Sequence, residues 1–112
     1  MSRSDRDRLL DILEAGAAIA EHRQRGPLSD GLVFDAVRVR LIEIGEAVKD
    51  VPAELLSQQP SIPWRQVAAM RDQLAHRYFD TSHANVAHTV GPDLAELLAV
   101  TRSLLAALDA QG

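Results

Sequence analysis

Phe34, Val37, Leu41, Ile44 and Val48 recur at three- and four-residue intervals, and this spacing constrains the fold more than any other feature of the chain. A helix with 3.6 residues per turn gathers such positions onto one face, whereas a strand would scatter them over both. The spacing predicts an amphipathic helix from about residue 30 to Lys49. The same period runs through Leu9, Ile12, Leu13, Gly16 and Ile19, and again through Val86, Val90, Leu94, Leu97, Leu98, Leu104, Leu105 and Leu108. No strand-like alternation, internal repeat or low-complexity tract interrupts the pattern. Aromatic residues are only 4%, so the core has to be built from Leu, Val, Ile and Ala, which favours helices over a β-sandwich.

Helix boundaries are marked by local chemistry. Ser4 with Asp7 resembles a capping box that opens a first helix, and "RGP" at 25–27 closes it. Ser29 and Asp30 are candidate N-caps for the second helix. Gly45 lies inside that helix, where it costs about 1 kcal/mol against Ala, and such a glycine permits close helix approach. Pro52 fits the first turn of a short helix, "PAELLSQ"; "QPSIPW" is a loop, and Pro63 opens the next helix. Val67, Met70, Leu74 and Tyr78 define the inward side of that helix, which should stop near Phe79. Asp80, Thr81 or Ser82 can cap the last segment, and Gly91-Pro92 must kink or break it, because proline removes a ladder bond and clashes with the preceding turn. The expected architecture is an all-α, antiparallel bundle of four long helices plus one short one, in a single domain spanning residues 1–112.

Several functional classes are excluded at this level. The chain has no cysteine, so disulfides and thiolate metal sites are absent. The N-terminus "MSRSDRDR" has no apolar run behind it, and no apolar run approaches the ~18 residues of a membrane span, so the expected location is the cytoplasm. The net charge of -4 argues against a broad electrostatic footprint for nucleic acid.

The densest cluster of reactive side chains is "MRDQLAHRYFD", residues 70–80. On a regular helix Arg71 and His76 differ by about 140°, while Asp72, His76 and Asp80 share a row. A site that needs both Arg71 and His76 therefore cannot occupy one narrow stripe. Either Arg71 reaches around, or the helix distorts, or a second protomer completes the cleft. Three readings are open. Asp72 and His76 can be a plain i, i+4 surface pair. Asp72, His76, Asp80 and His83 can line up as ligands for a divalent ion. Alternatively, His76 transfers protons while Arg71 holds phosphate charge. RNA carries its own nucleophile, the 2′-hydroxyl, so such a pair could cleave it without a metal or a covalent intermediate. Asp72 could orient the imidazole.

Taken in order, "RLIEIGEAVKDVP", "PSIPW" and "MRDQLAHRYFD" resemble the HepT-like family of the HEPN superfamily, small all-helical toxins of prokaryotic toxin–antitoxin pairs. The family signature is Arg, four residues, His, any residue, Tyr; here it reads Arg71, "DQLA", His76, Arg77, Tyr78. The likeness spans roughly residues 5–108. It implies a homodimeric HEPN-like bundle in which Arg71 and His76 are a metal-independent ribonuclease pair in a cleft between two protomers. It further implies that Tyr78 is modified with AMP by a partner antitoxin, a nucleotidyltransferase of the MNT type. ATP and Mg²⁺ would serve that partner, and this chain would need no cofactor. Many HEPN proteins carry Asn directly after the motif arginine, where this chain has Asp72. A non-catalytic helical module that binds a nucleotidyltransferase or nucleotides is the alternative, and Asp72 and the acidic balance lean towards it.

The remaining polar residues have simpler readings. Trp64 is a core anchor, and Glu43 and Glu46 are surface or helix-pair residues, with Glu46 also able to salt-bridge the motif arginine. His22 favours the negative end of the first helix, and His83 and His88 are solvated. Arg65 and Arg77 could add phosphate contacts, because residues 65–77 carry three Arg against one Asp, a local reversal within an acidic chain.

Overall fold

The computed structural model describes residues 3–76, Val86 and 89–111, with side chains from Asp5 onward. Among the described residues five α-helices are seen: α1 (Arg3–Arg25), α2 (Gly31–Lys49), the short α3 (Ala53–Leu56), α4 (Trp64–His76) and α5 (Leu94–Gln111). No strand occurs among the described residues. The apolar period does what its spacing requires. Leu9, Ile12 and Ile19 of α1, Val37, Leu41 and Ile44 of α2, and Leu104 of α5 are all fully buried in one cluster.

The helices run antiparallel. Arg6 in the first turns of α1 is paired with Asp109 near the end of α5 at 2.9 Å, and Gly16 meets Leu98 midway. Gly45 of α2 faces Val67 and Arg71 of α4, while Arg38, earlier in α2, reaches Leu74, later in α4. This long donation, from Arg38 Nη1 to the Leu74 carbonyl at 2.9 Å, ties the far half of α4 to α2.

Asp30 caps α2, its Oδ1 accepting from the backbone N–H of Leu32 at 2.9 Å and of Val33 at 3.4 Å. Two boundaries differ from the sequence expectation. α1 already includes Arg3, so Ser4 lies inside the helix rather than capping it. Pro52 sits just outside α3 as its N-cap rather than in its first turn. Proline there presets φ while its carbonyl accepts from Leu55 and Leu56, so the same residue starts the turn one position later. Trp64 is an anchor as expected, half-buried, with its indole N–H donating to the Gln59 carbonyl at 2.9 Å. The expected kink is present too. Residues Thr89–Asp93 form an irregular turn containing Pro92, and Gly91 has non-helical angles (φ -87°, ψ -115°). Thr101, fully buried in α5, satisfies its hydroxyl on the Leu97 carbonyl at 2.7 Å.

Candidate functional site

The site is built on the contact between α2 and α4, and Gly45 makes that contact possible. A Cβ at position 45 would lie 2.9 Å from both the backbone nitrogen and the Cβ of Arg71 and 3.0 Å from the Val67 carbonyl. Only glycine lets the two backbones meet this closely. The residue after it, Glu46, is thereby brought beside Arg71.

Arg71 is held from two sides. Its Nε donates to Glu46 Oε2 at 2.7 Å, across the helix pair, and its Nη1 donates to Asp72 Oδ1 at 2.8 Å, within α4. Distances this short belong to charge-assisted bonds. Their effects on the ionisable groups are mutual. Hydrogen bonds to Asp72 and then to Glu46 raise the Arg71 pKa above its ordinary value. Asp72 is lowered, first by the hydrogen bond from Arg71 and then by the nearby charge of Lys49, with Arg71 and His76 contributing the same way. Asp72 thus stays ionised at neutral pH beside Arg71 and Lys49.

The clamp also bears on the angular problem posed by Arg71 and His76. α4 is a regular helix over Trp64–His76, so distortion is not the solution. A second protomer and a reaching Arg71 remain the two solutions. By bonding Asp72, the Arg71 guanidinium is drawn towards the next residue's side of the helix, and Asp72 lies only about 40° from His76. Arg65 falls in the same angular sector about two turns earlier, and Arg65, Asp72 and His76 are all exposed. The arrangement therefore combines, on one solvent-facing flank, a fixed guanidinium that retains unused N–H donors with an imidazole one turn beyond Asp72. Such a flank can hold a phosphate and exchange a proton beside it.

One electrostatic expectation needs correction. The window 65–77 counts three Arg against one Asp, but in space Glu46 joins the same cluster and offsets Arg71. The local excess of positive charge is therefore smaller than the linear sequence suggests. Glu46 also forms the rim of a cleft of about 440 Å³ between α1 and α2, where Asp11, Glu14 and Glu43 face Arg8 and Arg40. Arg40 is itself paired with Glu43 at 2.8 Å, and its Nε donates weakly to His22 at 3.5 Å.

Arg77, Tyr78, Asp80, His83 and His88 lie outside the described residues. The proposed row of metal ligands, Asp72, His76, Asp80 and His83, therefore falls half outside them. Among the described residues no group of three or more His, Cys, Asp or Glu side chains is assembled for a metal ion. Sequence reasoning missed Arg38. Nothing in its neighbourhood signals a contact with residue 74, which depends on how α2 and α4 pack.

Fold and site together define a small helical bundle that presents a carboxylate-clamped arginine and a histidine on one helix. The family model described as "Ribonuclease HepT-like" matches residues 9–104, and the chain belongs to this HepT-like family. It is 38% identical over 101 residues to "Probable ribonuclease HepT" of Thermococcus cleftensis, covering 87% of this chain and 92% of that protein. A protein of Methanocaldococcus jannaschii that carries an RNase name is 40% identical over 93 residues, covering 80% of this chain and 77% of its own length. Another RNase-named protein, from Caldanaerobacter subterraneus, is 37% identical over 68 residues, with 60% and 61% covered. No solved structure matches the chain.

Proposed function

We propose that this protein is a metal-independent endoribonuclease, the toxin of a HepT/MNT-type toxin–antitoxin pair. The observation that carries the reading is the Arg71 clamp beside His76 on one flank of α4, in a chain that belongs to the HepT-like family. Arg71 holds a phosphate of the RNA through the terminal donors of its guanidinium. His76 takes the proton of the adjacent 2′-hydroxyl, whose oxygen attacks phosphorus. The O2′–P bond forms as the P–O5′ bond breaks, leaving a 2′,3′-cyclic phosphate, and the departing 5′-oxygen takes up a proton. Arg65 and Arg77 add phosphate contacts, and Glu46 aligns Arg71. No cofactor takes part.

The working form is a cytoplasmic homodimer with a cleft shared by two protomers. The exposed apolar residues Leu32 and Val39 on α2 support a surface that requires covering. Regulation comes from the partner nucleotidyltransferase. With ATP and Mg²⁺ it transfers AMP to the Tyr78 hydroxyl and releases pyrophosphate, adding bulk and negative charge beside the site.

Cleavage of RNA by the purified protein in EDTA tests the reading. Activity should persist in the chelator and fall by at least about a hundredfold in His76→Ala and Arg71→Ala. Cutting by both variants at the wild-type rate would sink the assignment, and a strict need for a divalent ion would favour the metal-ligand row. Intact-mass measurement after co-expression with the partner should show AMP additions that vanish in Tyr78→Phe. Additions persisting in that variant would remove Tyr78 as the acceptor.

The alternative, a non-catalytic interaction module, is favoured by the acidic cleft between α1 and α2 and by the net charge of -4. Retained nucleotidyltransferase binding with no RNA cleavage would select it.

A further inference from the structure

The two carboxylates on Arg71 are placed for different work. Glu46 comes from the neighbouring helix and takes Nε, the nitrogen closest to the side-chain stem. Beside it the α2 backbone at Gly45 presses against the backbone nitrogen and Cβ of Arg71. Together these contacts fix where the guanidinium starts and how it is turned. Asp72 follows Arg71 on the same helix and takes Nη1, one of the two terminal nitrogens. A phosphate bound in forked fashion uses those terminal donors. Asp72 Oδ1 therefore stands at an edge a phosphate oxygen would use, with the same sign of charge. It adds no link between helices, since Glu46 already supplies one.

We infer that Asp72 is an internal competitor for the phosphate of the substrate: its carboxylate rests on Arg71 in the free protein and must be displaced when RNA binds, so it lowers the affinity of the site. This inference rests on the reading of Arg71 as the residue that holds phosphate. Asp72 is well suited to the role, because its side chain is 57% exposed and, among the described residues, its hydrogen bond is to the guanidinium. Protonation does not provide the release. Arg71 and Lys49 keep the carboxyl below its ordinary range, so it is charged at neutral pH. Displacement by a competing anion remains, which makes Asp72 a threshold that sets how much RNA affinity the site has. Glu46, by contrast, is a positioning residue.

Asp72→Asn and Asp72→Ser separate these roles, the first keeping an oxygen acceptor and losing only the charge. Binding is read by fluorescence anisotropy of a labelled 2′-O-methyl oligoribonucleotide, which cannot be cleaved because its 2′-oxygen is blocked. Both variants should bind about three- to tenfold tighter than wild type at low salt, as expected for one exposed charge a few Å from a phosphate. The gain should shrink as ionic strength rises from about 0.05 to 0.5 M, which a structural effect would not do. Glu46→Gln should instead slow cleavage without tightening binding. Equal or weaker binding by both Asp72 variants, or a gain indifferent to salt, overturns the inference. So does a fall in cleavage rate in Asp72→Asn matching that in Glu46→Gln. Arg71→Ala and His76→Ala serve as the control on the underlying reading. If they lose binding and cleavage respectively while the Asp72 variants gain nothing, the inference alone fails. If they behave as wild type, or if no variant binds the oligonucleotide, the reading of the site fails with it.

Discussion

Arg71 and Asp72 are charged for reasons that can be read from their bonds. The guanidinium is pushed further from deprotonation by Asp72 and then Glu46, and the Asp72 carboxyl is pushed below its ordinary range by Arg71 first. Ionised Asp72 is thus favoured more in the folded chain than in the unfolded one. The pairing helps the folded state above the ordinary aspartate range, and that help is lost as the pH falls through the lowered value. Both groups are solvent-facing, so the effect on overall stability is small. The residue-level consequence is more direct: neither group changes charge between about pH 5 and 9. Side-chain carboxyl NMR should place the Asp72 midpoint below that of an ordinary aspartate, and Arg71→Gln should move it up. A midpoint indifferent to Arg71→Gln would mean the bond is not formed in solution.

At the scale of the elements, the contact of α2 on α4 decides where everything else lies. Gly45→Ala adds a methyl group 2.9 Å from backbone, which cannot swing aside, so the helices must separate. Against a helix-propensity gain of about 1 kcal/mol, overpacking of this kind costs about 1–3 kcal/mol. A net loss of about 1 kcal/mol should lower Tm by about 4 °C or more, with cleavage falling further as Glu46 is moved off Arg71. Gly16→Ala is the control. The three atoms nearest to its added methyl group all belong to the Leu98 side chain, whose terminal carbons can turn away, so it should cost less. A Gly45→Ala protein as stable and as active as wild type would refute the close approach. Much of this level was legible beforehand. Gly45 inside an apolar period announced a close packing, Glu46 beside it announced a possible pair, and Asp30 announced its cap. These are local signals, written in adjacent residues. What could not be read was long-range. Arg38 reaches a carbonyl 36 residues away, and Glu46 cancels charge that a linear window around Arg71 assigns to the site. No periodicity reveals which nitrogen of Arg71 meets which carboxylate, because that depends on how two rods are rotated against each other.

For the whole molecule, the exposed large apolar side chains lie on α2. Leu32 is 83% exposed and Val39 46% exposed. They lie seven residues apart, on one stripe and about 10.5 Å apart along the axis, and the next position in that register is Glu46. A second copy packed along this stripe would bury both apolar side chains from each protomer, since a two-fold contact uses the same patch twice. It would also end at the Arg71 clamp, so that residues of both chains could border one RNA strand. No described helix is long and apolar enough to cross a membrane. The double variant Leu32→Glu with Val39→Glu should keep its helical circular dichroism, because both sites face solvent, yet run as a monomer in size-exclusion chromatography with light scattering. Its RNA cleavage should fall at least about tenfold at micromolar concentration and recover in part as the protein is concentrated. A double variant that remains dimeric would move the interface to another face. One that is monomeric and fully active would show that a single protomer holds the complete site, leaving Arg71, held by Glu46 and Asp72, and His76 to act from one chain.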